Sequence, residues 1–329
     1  TAGTSNFRAG VNAGNSIADG GNYNTVVGDE AGTAISTGDN NTLVGFESGH
    51  DISSGTGNTF LGANAGDKTD DGANNVAIGY DALGANCGNE NTAVGASALS
   101  SSTSVENTAV GAGAGFSLTD VSGGVFIGQH SGLFATTASN STFVGHSAGQ
   151  GITNNKLTGN DNTAVGTNAG LLLQAGGTTN TLIGKDAGRA LTTAEQSCIM
   201  GAGAGLVVTG SKNTFVGADS GNVMSTGIKN TIIGRYTGNA GGLDIRTADN
   251  NIVLSDGDGN PNGYYLGSAD QWIFKGKDTG QYAFQIQHTV SSASPYGLNI
   301  DFTASAPNNT TQAFLVCADS SAVRLEIKS

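Results

Sequence analysis

Proline is nearly missing from this chain, with 3 in 329 residues, and tryptophan occurs once. So little proline beside 54 glycines, with no Gly-x-y triplet, excludes a collagen-like helix. Charge is scarce too, at 12% Asp, Glu, Lys and Arg, and basic charge scarcest: 13 Lys and Arg against 26 Asp and Glu, a net charge of −13. That balance argues against a nucleic-acid partner, which would need phosphates neutralised. It favours solubility and mutual repulsion instead. Cysteine is limited to Cys87, Cys198 and Cys317, an odd number with no two at metal-ligand spacing. No run of 18 apolar residues exists, so neither a membrane-spanning helix nor membrane insertion is expected. The chain opens on Thr1-Ala2-Gly3 without Met, as expected of a processed or truncated product. Disorder is the remaining class for a glycine-rich chain, and 37% hydrophobic residues placed periodically argue against it.

What is present is one phrase repeated. Asn-Thr-x-aliphatic-Gly-x-x-Ala-Gly begins at Asn6, Asn24, Asn41, Asn58, Asn75, Asn91, Asn107, Gly124, Ser141, Asn162, Asn180, Ser197, Asn213 and Asn230. All intervals are 16, 17 or 18 residues except one of 21, between Ser141 and Asn162. A short fixed period means one unit stacked on itself. Helical repeats need periods above about thirty and i, i+3, i+4 patterning, and neither is present.

Each unit reads as a short strand, a bend, a small residue and a second bend. In NTAVGAGAG, residues 107–115, Thr108, Ala109 and Val110 suit a strand. The fifth position is Gly in all fourteen copies, which implies a positive φ or backbone too crowded for a Cβ. The ninth is Gly except at Leu83 and Leu99. The seven to nine residues that follow are rich in Ser, Thr, Asp, Asn and Gly and read as an exposed return segment. Stacked in parallel, such strands make an all-β solenoid of about fourteen coils, roughly 60 Å long at about 4.8 Å per coil.

The strand also bears on assembly. Its second and fourth positions share one face and its third the other. The fourth is aliphatic, as at Val27, Leu61 and Ile78, and the third is apolar too, as at Leu43, Phe60 and Phe143. Both faces therefore ask for cover, but one thin coil covers only one. The expectation is that Thr and the fourth position point inward while the third-position column packs on neighbouring copies. On that expectation the threonine column cannot serve to bind ice.

The phrases NTAVGASAL, NTFVGADSG and NNVAIGYDALG resemble the head repeats of trimeric autotransporter adhesins. They resemble still more the repeats of phage tail-fibre and appendage proteins, across residues 6–238. The resemblance implies that each unit is one turn of a left-handed parallel β-roll and that three chains pack around a common axis. The period here is longer than in the adhesins. Residues 239–275 read as a connector holding a degenerate phrase, Asn251–Gly259, then Tyr264, Tyr265 and Trp272. Residues 276–329 read as a separate, smaller β module with strands around 282–286, 298–302, 313–316 and 323–327. The ending FLVCADSSAVRLEIKS resembles the region ahead of the self-cleaving intramolecular chaperone of phage tail fibres.

Several chemical motifs reduce to the repeat. Gly145-His146-Ser147-Ala148-Gly149 matches a nucleophile elbow but is simply the ninth copy. His130 and His146 lie in adjacent copies without a third ligand. Asp256–Asn260 begins like a calcium loop, but Pro261 and Gly267 stand where an EF-hand needs Gly and a carboxylate. No catalytic residue, metal site or cofactor is expected. The function expected is a structural and adhesive homotrimeric fibre of a virion, working with other tail or baseplate proteins and a host-cell glycan or protein receptor. The alternatives are a bacterial adhesin head and, less favoured, a polysaccharide-degrading tailspike. Receptor contacts are expected in the irregular parts, at Ile152 and Leu157 of the long segment Gln150–Asp161 and at Tyr264 and Tyr265, with Trp272 packed inside the terminal module.

Overall fold

The computed structural model describes residues 4–17 and 20–275, together with the backbone of two strands near the end of the chain. Residues up to Lys275 form one unit and those from Gly276 a second. Among the described residues there is no helix.

Each repeat contributes one three-residue strand, from β1 (Phe7–Ala9) to β14 (Thr231–Ile233). These stack in parallel, position on position: Thr25 pairs Thr42, and Thr142 pairs Thr163 across the long interval. Two further two-residue strands, β15 (Asn239–Ala240) and β16 (Leu243–Asp244), pair with each other. The degenerate phrase then adds β17 (Ile252–Ser255) to the parallel stack beside β14. The chain turns antiparallel through β18 (Pro261–Leu266) and β19 (Gln271–Phe274), which complete a 17-stranded sheet. In the second unit, β20 (Ala313–Ala318) and β21 (Val323–Lys328) pair antiparallel. The strands expected at 282–286 and 298–302 lie outside the described residues.

The fifth-position glycines turn the chain out of each strand. Gly166 has φ +131°, and a Cβ there would sit 2.6 Å from the carbonyl of Gly184 in the next coil. Positive φ and crowding both hold, as the repeat implied. In the first thirteen copies the seventh and ninth positions are left-handed as well, and Leu83 and Leu99 adopt φ of 53° and 52° where the other copies use Gly.

The core is a set of columns inside the coil. The third position is fully buried from Val26 to Val253, as is the eighth-position Ala from Ala31 to Ala204. This corrects the expected sidedness. The chain's own coil covers the third position, Phe143 included, while the second and fourth positions face outward. The threonine column therefore points away from the core, and the ground for setting aside ice binding is removed.

The first-position asparagines form a buried polar ladder. Asn58 donates from Nδ2 to Asn41 Oδ1 at 3.1 Å and to the Gly72 carbonyl at 2.8 Å. Its own Oδ1 accepts from the Asn75 amide at 3.0 Å and from Asn75 Nδ2 at 3.2 Å. The pattern repeats coil after coil, so polar groups inside a thin core satisfy one another. Gly124 interrupts it, and the Ser141 hydroxyl accepts from the Asn162 amide where an Asn would otherwise do so.

Candidate interaction face

The outward face of the 17-stranded sheet is the most distinctive surface of the first unit. One column holds the second-position residues, Thr25 through Thr231, with Val76, Val125 and Cys198 as substitutes for Thr. The other holds the aliphatic fourth position. Leu61 and Ile233 are each 48% exposed, and Val110, Ile127, Met200 and Val216 are similarly open. Among the described residues no hydroxyl of the outward threonines has a hydrogen-bond partner.

Register carries both columns into the terminal hairpin. Ile252 and Leu254 follow Thr231 and Ile233. Tyr265 and Gly263 lie opposite them, and Trp272 and Phe274 come next. The three aromatic rings form a row: Tyr265 and Trp272 have centroids 5.8 Å apart, and Trp272 stacks on Phe274 at 5.8 Å with 8° between planes. Arg8 is the one charged residue in any of these seventeen strands, and it sits in the inner column of the first coil, donating to the Gly14 carbonyl. No charged side chain therefore projects outward from these seventeen strands.

The sequence-predicted contacts separate. Leu157 is fully buried, forming a parallel bridge with Ala135. The 21-residue coil keeps its core column there and loops out the residues just before, where 153–156 are exposed and Ile152 is half-buried. Tyr264 is buried on the inner side of the hairpin, while Tyr265 is half-buried on the outer side and donates its hydroxyl to Asp270. Trp272 is 50% exposed, and most of the terminal module in which it is expected to pack lies outside the described residues.

The chemical motifs have the following local geometry. Ser147 occupies a left-handed corner, 4% exposed, with no helix after it. His130 and His146 have ring centroids 6.2 Å apart. Among the described residues no three His, Cys, Asp or Glu side chains could hold a metal ion together. Asp256 caps its own turn, accepting from the amides of Asp258 and Asn260 and from Asn260 Nδ2. Those donors hold its carboxyl down at about 2. Near the last coils, Asp219, Asn222, Arg235 and Asp258 line a shallow cleft of about 450 Å³, bridged by the Arg235–Asp219 ion pair at 3.2 Å.

No family model, curated protein or solved structure matches this chain.

Proposed function

We propose that this chain is a structural and adhesive fibre subunit of a virus particle, working as a homotrimer outside the cell and holding or forming a surface for a host receptor. The observation that carries the reading is the uncharged, half-open sheet face. An exposed apolar strip this long is unusual on a solitary protein and marks an interaction surface. A stacked solenoid supplies reach, its coils repeat too regularly to encode one partner, and no catalytic arrangement is invoked. The tail-fibre resemblance of the repeats favours a virion over a bacterial surface, and the loop at 153–156 is the irregular feature best placed to meet a receptor. Light scattering on the native protein tests the assembly. Three chains of 32.6 kDa give about 98 kDa, and a stable 32.6 kDa species refutes the fibre.

A second reading has one observation in its favour. The outward threonine hydroxyls, without hydrogen-bond partners among the described residues, form a regular array of the kind ordered water or ice would meet. Val76, Val125 and Cys198 count against it, because the valines keep the shape of Thr and all three discard the hydroxyl. Ice-crystal shaping by a monomeric species would support it.

A further inference from the structure

We infer that the outward face of the 17-stranded sheet, formed by the second- and fourth-position columns and ending in Tyr265, Trp272 and Phe274, is the seam through which copies of this chain pack against one another. The inference rests on the homotrimer reading and assigns its surface.

Four observations select a second copy as the occupant. The first is area. Sixteen steps of about 4.8 Å give a strip roughly 75 Å long, and side chains two residues apart make it about 10 Å wide. That is roughly 750 Å² per copy, which a threefold assembly divides between two neighbours, so each pair of copies buries about 750 Å² in total from the strip, about half of a standard stable interface, and the residues flanking the strip must supply the rest. The second is charge. In a chain of net −13, an acidic surface keeps copies apart, yet this face has no charged side chain on any of its seventeen strands. Along this strip two copies can approach without bringing strand carboxylates together.

The third observation is what substitution preserves. Where the second position is not Thr in the interior of the stack, it is Val76, Val125 or Cys198, each of closely similar volume. Recognition of a polar ligand would require the hydroxyl. Dry packing requires the volume. The fourth is the difference between the columns, one mainly Thr and the other aliphatic. Copies related by a threefold axis meet heterologously, one patch against a different patch of the next copy. Two unlike parallel columns provide such a pair of patches on a single face. At the hairpin end the exposed Trp272 and Phe274 supply the large aromatic anchors that dominate interfaces of this kind.

Native Cys198 reports on the seam because it stands in the outward threonine column. The test uses the full chain and two double variants, Val110→Asp with Val165→Asp on the face, and Ser54→Asp with Asn154→Asp on return segments. Mass by light scattering, β content by circular dichroism and alkylation of Cys198 by iodoacetamide, mapped by peptide mass spectrometry, are read for all three. The wild type and the return-segment variant should run near 98 kDa. The face variant should keep its β content, fall to 32.6 kDa and alkylate at Cys198 at least tenfold faster. A face variant that stays trimeric, with Cys198 equally reactive throughout, overturns the seam and leaves the homotrimer standing. A monomeric wild type overturns both. Should the aspartate pair unfold the chain, the wild type decides alone: Cys198 alkylating as fast as an unhindered thiol refutes the seam.

Discussion

Three glycines separate two costs that are usually confounded. Gly166 has φ +131°, and an added Cβ would lie 2.6 Å from the carbonyl carbon and oxygen of Gly184 and 3.0 Å from the Lys185 amide nitrogen. Gly176 has φ +85° with nothing within 4 Å, and Gly257 has neither a left-handed φ nor a neighbour within 4 Å. Gly166→Ala therefore meets backbone strain of about 1–3 kcal/mol. It also forces neighbouring coils apart, adding about 1–3 kcal/mol because the atoms in the way are backbone. Gly176→Ala meets the strain alone, and Gly257→Ala neither. At about 2–4 °C per kcal/mol, Gly166→Ala should lower the melting temperature by roughly 5–20 °C. Gly176→Ala should lower it by about half as much, and Gly257→Ala should leave it unchanged. Thermal unfolding followed by circular dichroism measures all three. If Gly166→Ala proves no worse than Gly176→Ala, contact between stacked carbonyls does not restrict the fifth position, and the account of the repeat given above is mistaken.

Asn58→Ala should cost at least about 2 kcal/mol in urea unfolding, because it leaves Asn41 Oδ1, the Gly72 carbonyl and the Asn75 amide buried without this partner. Phe143→Ala should cost about 3–5 kcal/mol through a core cavity, with oligomeric mass unchanged at temperatures where it is folded. Burial pushes the Asp67 carboxyl above its ordinary range, and its Oδ1 is buried with no hydrogen-bond partner. A raised carboxyl destabilises the fold only when ionised, so Asp67→Asn should raise the melting temperature at pH 7. The gain should fade as pH falls through the raised value and vanish below about 3.8, where both states of the wild type are protonated. Deleting Ile152–Lys156 should leave melting unchanged, since Leu157 keeps its place in the core column, and cell binding by labelled fibre then tests the loop as a receptor contact.

The period alone made much of this fold legible. A phrase of fixed order at 16–21 residues stacks only as parallel rungs, and the glycine at every fifth position implied a positive φ or a crowded backbone, of which the fold has both. The first-position asparagines were legible in principle and went unread. A polar residue recurring at the head of every strand, replaced by Ser141 or Ser197, asks for a hydrogen-bonded column, and the ladder supplies one. Leu157 misled because the inserted residues of the long coil lie before it rather than around it, so a residue that looked exposed in a polar segment is the core member of its coil. The antiparallel ending at β18 and β19 departs from the period, and the repeat carried no information about it.

The exchange of inner and outer faces has a different cause. Alternation says that neighbouring positions oppose each other but not which of them points inward, and both columns here are apolar. The deciding signal is compensation of volume within a coil. Where the third position is Phe, the twelfth residue of the same coil is small in two coils, Phe60 with Thr69 and Phe126 with Ala135, although Phe215 keeps Met224. Where the third position is Ala, a leucine fills the space, as in Ala77 with Leu83, Ala93 with Leu99, Ala109 with Leu118 and Ala164 with Leu173. All of these residues are buried. Residues that trade volume must share an enclosed space, because close packing couples only atoms in contact. The fourth position shows no such trade. From Val27 to Leu254 it stays Val, Leu, Ile or Met whatever its coil contains, as expected of a column whose packing partner lies outside the coil. A double-mutant cycle on Ala109→Leu and Leu118→Ala puts this to measurement. Each single change should destabilise, the first by overpacking and the second by a cavity, and the pair should recover at least about 1 kcal/mol relative to their sum. The same cycle on Val110 and Leu118 should be additive within about 0.5 kcal/mol. Additivity in the first cycle would mean that the two side chains do not share one core.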